Sequence, residues 1–266
     1  MFEILPLLHC LSPYISQTTL GQLGVIITAL LTMSGRVTML GISRWAGKGG
    51  SYRTIQRFFY TTICWPNLLW VFFRHHCWHR DDTYLLVGDE VVVTKAGKQT
   101  HGLGRFFSSL YKRPVPGLAF FSLSLVSIEQ RHSFPVRIEQ VLKPTPAKPP
   151  VPQTKPTAQK RGRGRPKGSK NKDKTAVRLN RELLHIKGMI AALFDLMAGA
   201  IVPTHLAMDG HFGNNYALQM ARQMGLHLVS KLRYDSALYL PYQGPNRQRK
   251  YGEKINPRCY ARAIFV

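Results

Sequence analysis

Acidic residues are scarce in this chain. Its 266 residues include 13 Asp and Glu against 37 Lys and Arg, so the formal net charge is +24. A charge of this size repels itself in a compact state, and a polyanionic partner is the natural way to offset it. The segment from Lys155 to Lys174 holds nine Lys or Arg and one Asp, yet the remainder is still strongly basic. This composition favours nucleic acid as the partner.

Cysteine pairs and long apolar runs are also missing. The four cysteines form no CxxC pair, which argues against a disulfide framework and against a zinc ribbon. The longest apolar run, Leu23 to Met33, is too short to span a bilayer, and the N-terminus lacks the order of a signal peptide. We therefore expect a cytoplasmic chain with no membrane association.

Residues 1–80 are predicted to form an all-helical module that binds DNA. Residues 4–80 contain no acidic residue. Helical periodicity, a Gly-rich break at 47–50 and an N-cap at Ser51 predict several short helices. The helix after Ser51 places Arg53 and Arg57 on one face, opposite an apolar stripe formed by Tyr52, Ile55, Phe59 and Ile63. This face suits a helix-turn-helix-like reading surface, and a basic face that is simply solvated is an equally good interpretation.

Strand patterns lie on both sides of a basic, proline-rich segment. Residues 81–142 hold three predicted strands, at Tyr84–Asp89, Val91–Lys95 and Leu118–Ile128. Residues 175–240 read as helix, strand, helix, strand, which implies a parallel crossover. Residues 143–174 contain seven prolines and few large apolar residues, so we expect a disordered insertion there. Residues 241–266 are interpreted as the start of a further insertion or as a truncated end.

Two of the rare carboxylates follow predicted strands. Asp89 ends the run that begins at Tyr84, and Asp209 ends the run His205–Met208. Carboxylates at the ends of neighbouring strands suit Mg²⁺, and two such ions can activate both oxygens of a phosphodiester displacement. For either residue alone, a role as a turn former is an equally good explanation, since Asp followed by Gly, as at Asp209 and Gly210, is common in turns. Glu90 is excluded from this pair because neighbouring strand residues point to opposite faces.

These segments resemble the DDE transposases of bacterial insertion sequences, which belong to the RNase H-like superfamily. The resemblance covers residues 80–255 and is carried by Val87–Lys98, Leu206–Gly213, Leu232–Asp235 and Arg249–Lys254. It implies an α/β (α+β) fold, with an RNase H-like mixed sheet and flanking helices after the all-helical module. It also implies that Asp89 and Asp209 are catalytic ligands of two Mg²⁺ or Mn²⁺ ions. The implied reaction is metal-dependent cleavage and transfer of strands of double-stranded DNA, at the ends of an insertion sequence and at its target. The resemblance also implies a bacterial protein that works in the cytoplasm at the nucleoid, and a homodimer is one expected assembly.

The third acid of this family has no clear counterpart. In relatives a catalytic Glu lies on a later helix, whereas after Asp209 this chain offers only Asp235 and Glu253. Glu253 is the fallback third catalytic residue. The apolar end Ala263–Val266 suggests a truncated product that is inactive for cleavage and transfer. A non-catalytic DNA-binding remnant and an RNase H-like nuclease are the two alternatives.

The basic insertion contains a segment that resembles an AT-hook. In Lys160–Lys167 an Arg-Gly-Arg core suits the narrow minor groove of A·T-rich DNA, and a nonspecific phosphate-binding tether explains the segment equally well. The predicted DNA-binding residues are Arg53, Arg57, Lys95, Lys98, Arg161, Arg163, Arg165 and Lys167. Further candidates for guiding phosphates are Arg105, Lys231 and Arg233, whereas His101 and His211 are interpreted as incidental.

Overall fold

The structure, a computed structural model, describes residues 4–47, 49–97, 99–108, 110–143, 175–231, 238–246, 249 and 251–255. These form two compact units. The first unit is built from residues up to Tyr84, from Ser124–Ile138 and from Ala192–Val202, and the second unit comprises Leu85–Leu123, Glu139–Ala191 and residues from Pro203 onward. Several predicted DNA contacts and one acidic candidate lie outside the described residues, namely Lys98, Arg161, Arg163, Arg165, Lys167, Arg233 and Asp235.

The N-terminal part of the first unit is helical, as predicted. Its helices are α1 (Ile4–Leu8), α2 (Gln17–Thr32), α3 (Met39–Trp45), α4 (Tyr52–Tyr60) and α5 (Trp65–His76). The side chains of Ser16, Thr38 and Ser51 each accept a backbone N–H at the start of a helix, which satisfies a donor that the helix itself leaves unpaired. A shared core then holds the helices together, and its buried members include Leu23, Ile42 and Ile55.

Helix α4 begins after Ser51 as predicted, but of the predicted apolar stripe only Ile55 is a buried residue of this helix, since Tyr52 is 45% exposed and Ile63 lies beyond the helix end at Tyr60. The structure buries Ile55 and Phe58, whereas Phe59 is 50% exposed. Residues three apart share a helix face, so Phe58 rather than Phe59 continues the stripe from Ile55 in this short helix. Arg53 and Arg57 lie exposed on the other side, where the sequence places them.

A mixed sheet follows, and it confirms the predicted fold class. Its strands are β1 (Tyr84–Thr94), β2 (Gly104–Ser108), β3 (Arg113–Ser127), β4 (Ser133–Val141), β5 (His205–Met208) and β6 (His227–Ser230). The strand order is β2-β3-β1-β5-β6, and β4 pairs with β3. Strands β2 and β3 are antiparallel, whereas β1 with β5 and β5 with β6 are parallel. A separate two-stranded sheet contains β7 (Tyr239–Pro241) and β8 (Tyr251–Lys254).

The number of strands before the insertion differs from the prediction. The two predicted strands at Tyr84–Asp89 and Val91–Lys95 are one continuous strand, β1, while β2 and β4 were not predicted. Strand β2 has only five residues beside a Gly-containing turn, too few to show a periodic pattern. Strand β4 alternates Phe134, Val136 and Ile138 with more polar residues, but it contains a proline, which counts against a strand in a sequence-based prediction.

Helices α6 and α7 accompany the second half of the sheet. Helix α6 spans Arg181–Met197, and α7 spans Asn215–Gln223 between β5 and β6. Asn214 caps α7 through its side chain, and Gly225 beyond the helix end has a φ of 72°, a conformation that glycine adopts at low cost. The predicted parallel crossover from β5 through α7 to β6 is therefore confirmed. None of the helices in the described ranges combines the length and apolarity needed to cross a bilayer.

Candidate active site

The sheet places Asp89 and Asp209 at neighbouring positions. In the parallel pair of β1 and β5, Leu86 lies opposite Leu206 and Gly88 lies opposite Met208. Asp89 and Asp209 are the next residues along the two chains, and neighbouring strands lie about 4.8 Å apart. Because successive side chains alternate between the two faces of a sheet, both aspartate side chains project from one face, and Gly88 and Met208 belong to the other face.

Hydrogen bonds hold the backbone of each aspartate. The Ser122 hydroxyl on β3 donates to the carbonyl of Asp89 at 3.3 Å, and the Ser230 hydroxyl on β6 donates to the carbonyl of Asp209 at 2.6 Å. The carboxylate of Asp209 also accepts the backbone N–H of His211 at 3.2 Å, which caps the 3₁₀ turn Gly210–Phe212. Both aspartates are therefore anchored by the strands on either side of the β1–β5 pair.

Both aspartates line one cavity of about 1160 Å³ within the second unit. Two other acidic residues, Glu90 and Glu182, line it as well. Four of the 13 acidic residues in the chain therefore line one cavity, together with the basic Lys143 and Arg181. Carboxylates that line a common cavity are the kind of side chain that binds a hard divalent cation.

Glu90 borders the same cavity as Asp89. Consecutive residues of β1, from Asp89 to Val92, all line it. The pairing of β1 with β5 ends at Gly88 and Met208, so β1 continues beyond its neighbour. Burial still alternates along this part of β1, with Asp89 exposed and Glu90 half-buried, so the exclusion of Glu90 from the Asp89–Asp209 pair stays a prediction.

The carboxyl group of Glu90 is influenced mainly by burial. Burial raises the pKa of Glu90, and the nearby Glu182 carboxylate raises it further, whereas His211 and Lys143 act in the opposite direction. His211 Nε2 lies 3.7 Å from Glu182 Oε1, so α6 is linked to the turn that carries Asp209. His211 thus lines the cavity and contacts an acidic residue there, and its interpretation as incidental to catalysis stays a prediction.

Glu253 is not brought to this cavity. It lies on β8 and lines a smaller depression of about 530 Å³ together with Tyr242 and Arg249. The guanidinium of Arg249 lies over the ring of Tyr242, 4.8 Å from its centroid. Within the described ranges, moreover, no three His, Cys, Asp or Glu side chains converge closely enough to form one metal site.

The predicted basic residues occupy several places. Lys95 follows β1 and is exposed, and its backbone N–H donates to the Pro116 carbonyl at 3.1 Å. Arg105 is exposed on β2, where its guanidinium donates to the Pro114 carbonyl at 3.2 Å. Lys231 directly follows β6, and its carbonyl lies so close to Gly213 that an added Cβ there would be 2.5 Å away. Lys231 is therefore next to the turn that follows Asp209.

Three residues at the cavity were missed by sequence reasoning, namely Lys143, Arg181 and Glu182. Glu182 and Arg181 open helix α6, where an acidic residue in the first turn is explained by the helix dipole alone. Lys143 adjoins the proline-rich segment, and its ammonium lies 4.4 Å from the centroid of the Phe106 ring. No local signal connects these positions to Asp209, because only the folded chain brings them together.

A mixed sheet that contains an antiparallel β2–β3 pair and the parallel strands β1, β5 and β6, with aspartates at neighbouring positions in β1 and directly after β5, is typical of RNase H-like nucleases and strand-transfer enzymes. The chain belongs to the DDE superfamily endonuclease family, whose model matches residues 6–264. The resemblance to DDE transposases is thereby confirmed at the level of the family, which implies a nuclease or transposase function with DNA as substrate. No curated relative matches the chain significantly.

Proposed function

We propose that this protein is a DDE transposase that cleaves DNA strands at the ends of an insertion sequence and transfers them to target DNA. Asp89 and Asp209 are the metal ligands in this proposal. The observation that carries it is the register of β1 and β5, which sets the two carboxylates at neighbouring positions in one cavity. Family membership makes a metal-dependent reaction on DNA the natural use of that pair.

The two carboxylates fit a hard divalent cation. Mg²⁺ is commonly held by one or two carboxylates and completes its coordination with water and substrate phosphate oxygens. When bound, Mg²⁺ or Mn²⁺ ions activate the attacking oxygen and stabilise the leaving oxygen of the phosphodiester. Asp89 and Asp209 would supply the protein's share of such a site.

The surrounding residues orient the pair and bind DNA. The Ser122 and Ser230 hydroxyls hold the backbone of the two aspartates, and the Glu182–His211 pair holds the turn after Asp209. Lys143 and Arg181 line the cavity and would bind the phosphates on either side of the scissile bond. Lys95 and Lys231 would extend this contact outside the cavity. We further propose that the protein acts as a homodimer at the bacterial nucleoid and that Arg53 and Arg57 bind DNA.

A non-catalytic DNA-binding protein is the second candidate. It is favoured by one observation, that the part of the chain described by the structure holds no three converging metal ligands and places Glu253 elsewhere. A nuclease that cleaves without strand transfer would retain the Asp89–Asp209 pair and differ only in the second step.

Nicking of supercoiled plasmid DNA by the purified full chain tests the proposal. We expect nicking with Mg²⁺ or Mn²⁺ and none with EDTA, and we expect Asp89→Asn or Asp209→Asn to reduce it to background. Asp195→Asn is the matched control, because this acidic residue of α6 does not line the cavity. Joined products indicate a transposase, and cleavage alone indicates a nuclease. DNA binding without nicking under either metal would refute the catalytic assignment and support the second candidate.

A further inference from the structure

We propose that the β2–β3 hairpin carries a stacking platform for unpaired DNA bases beside the candidate metal site. The platform consists of Phe107, Leu110 and Tyr111, which are followed in the chain by Lys112 and Arg113. This inference rests on the proposed function, because it names the form of DNA that the same cavity accepts.

The platform is an exposed apolar surface at the cavity. Phe107 is 64% exposed, Leu110 is 80% exposed and Tyr111 is 52% exposed, yet all three line the cavity that contains Asp89 and Asp209. Val91 and Leu142 extend the apolar lining and are themselves 50% and 44% exposed. Contiguous apolar side chains that are exposed next to polar ones are typical of an interaction site.

The β2–β3 ladder positions Phe107, while Leu110 and Tyr111 lie in the turn before β3. Strands β2 and β3 pair from Gly104 opposite Gly117 to Ser108 opposite Arg113, and Phe107 lies opposite Pro114. Alternation along β2 buries Phe106 and Ser108, so Arg105 and Phe107 share the exposed side. The return into β3 passes through Lys112 at a φ of 50°, a left-handed conformation that is uncommon for residues other than glycine. Phe107 is therefore held by the ladder, and Tyr111 lies in the turn at its end.

Charge around the platform selects nucleic acid as the occupant. Residues 91–128 contain no Asp or Glu but include Lys95, Lys98, Arg105, Lys112 and Arg113. Exposed aromatic rings interleaved with Lys and Arg are the combination that binds single-stranded nucleic acid, because the rings stack on bases and the cations bind the backbone. Bases inside a duplex already stack on one another, so the rings are available only to unpaired nucleotides.

The position of the platform then relates DNA structure to cleavage. The platform and the two aspartates line the same cavity, so a strand whose unpaired bases stack on Phe107 and Tyr111 passes its next phosphates toward Asp89 and Asp209. The protein would therefore prefer DNA in which nucleotides next to the scissile phosphate are unpaired, as in a frayed or tailed end.

Binding of tailed and blunt duplexes to the full chain tests this inference. The Asp89→Asn variant serves as the background, so that DNA stays intact, and the probe is a short duplex with or without an unpaired tail that contains 2-aminopurine. We expect tighter binding of the tailed duplex and quenched tail fluorescence from stacking. Phe107→Ala and Tyr111→Ala should each weaken tailed binding by roughly 5- to 100-fold and change blunt binding by less than about twofold. Phe107→Trp should retain the preference, and Tyr216→Ala is the control, since Tyr216 is 53% exposed on α7 and does not line the cavity.

Three results would overturn the inference. The first is equal affinity of the background protein for tailed and blunt duplexes. The second is an equal loss on both duplexes in Phe107→Ala, which would make the hairpin a general DNA contact. The third is a lower thermal midpoint in Phe107→Ala with an unchanged tail preference, which would make the patch a packing site for protein. Plasmid nicking is measured separately, with the protein in which Asp89 is intact. A preference for tailed DNA without nicking would refute only the proposed catalytic function. Nicking without a preference for tailed DNA would refute only the proposed stacking platform.

Discussion

Replacing Gly88 by alanine tests how the β1–β5 pair is positioned. Gly88 is buried opposite Met208 and directly precedes Asp89. A Cβ at this position would lie 2.8 Å from Cζ of Phe121 and 3.6 Å from Cδ2 of Leu123. Phe121 is only 1% exposed, and its ring packs edge-on against Phe212, in the turn that Asp209 caps, with centroids 6.2 Å apart. The added methyl group must therefore displace Phe121 or β1.

The expected cost follows from overpacking. An extra methyl group in a filled core typically costs about 1–3 kcal/mol, because neighbouring side chains leave their preferred rotamers. With a denaturant slope of about 3 kcal/mol per M, the urea midpoint of Gly88→Ala should fall by about 0.3–1 M. Circular dichroism during urea titration measures this midpoint. Metal-dependent nicking should fall as well, because Asp89 is the next residue.

Substitution of a second glycine serves as a control, because its effect on the free energy of unfolding should have the opposite sign. Gly188 lies inside helix α6, and no atom would lie within 4 Å of a Cβ placed there. Gly188→Ala should therefore stabilise the protein by about 0.5–1 kcal/mol, since alanine loses less backbone entropy in a helix. Phe121→Leu in the Gly88→Ala background should recover part of the loss by making room. A Gly88→Ala protein as stable as the parent, or a loss that Phe121→Leu leaves unchanged, would refute this reasoning.

Two further predictions concern the first unit. The Ser127 hydroxyl donates a hydrogen bond to the Asp82 carboxylate, and this bond lowers the pKa of Asp82. The ionised carboxylate therefore stabilises the fold at pH values above the ordinary pKa of Asp, and this stabilisation is lost as the pH falls through the lowered pKa of the folded protein. Asp82→Asn should therefore lower the urea midpoint at neutral pH and have little effect in strongly acidic solution. As a control, Asp81→Asn changes an exposed residue and should have little effect at either pH. Equal losses of stability at both pH values in Asp82→Asn would contradict the assigned cause. On the exposed face of α4, Arg53→Ala and Arg57→Ala should each reduce the slope of log affinity for duplex DNA against log salt by about 1, and Arg57→Lys should preserve it. An unchanged slope in both alanine variants would show that the face is simply solvated.

Local signals in the sequence were enough to predict several parts of this fold. Ser51 was recognised as an N-cap because its hydroxyl satisfies a nearby backbone N–H, which depends on adjacent residues alone. The crossover from β5 to β6 was recognised from apolar runs separated by a helical pattern that ends at Gly225. The motifs around Asp89 and Asp209 were sufficient for the family, which the match over residues 6–264 confirms.

Contacts between distant residues required the tertiary structure. Glu90 and Glu182 are far apart in the chain, and their shared cavity depends on where β5 ends beside β1 and where α6 begins. The exposure of Phe107 and Tyr111 likewise depends on the pairing of β2 with β3, which the short strand β2 does not reveal by periodicity. The sequence by itself determined the types of residue, the caps and the family, because these depend on neighbouring residues. Only the tertiary structure decided which carboxylates and aromatic rings meet, because register and packing join residues that the chain keeps far apart.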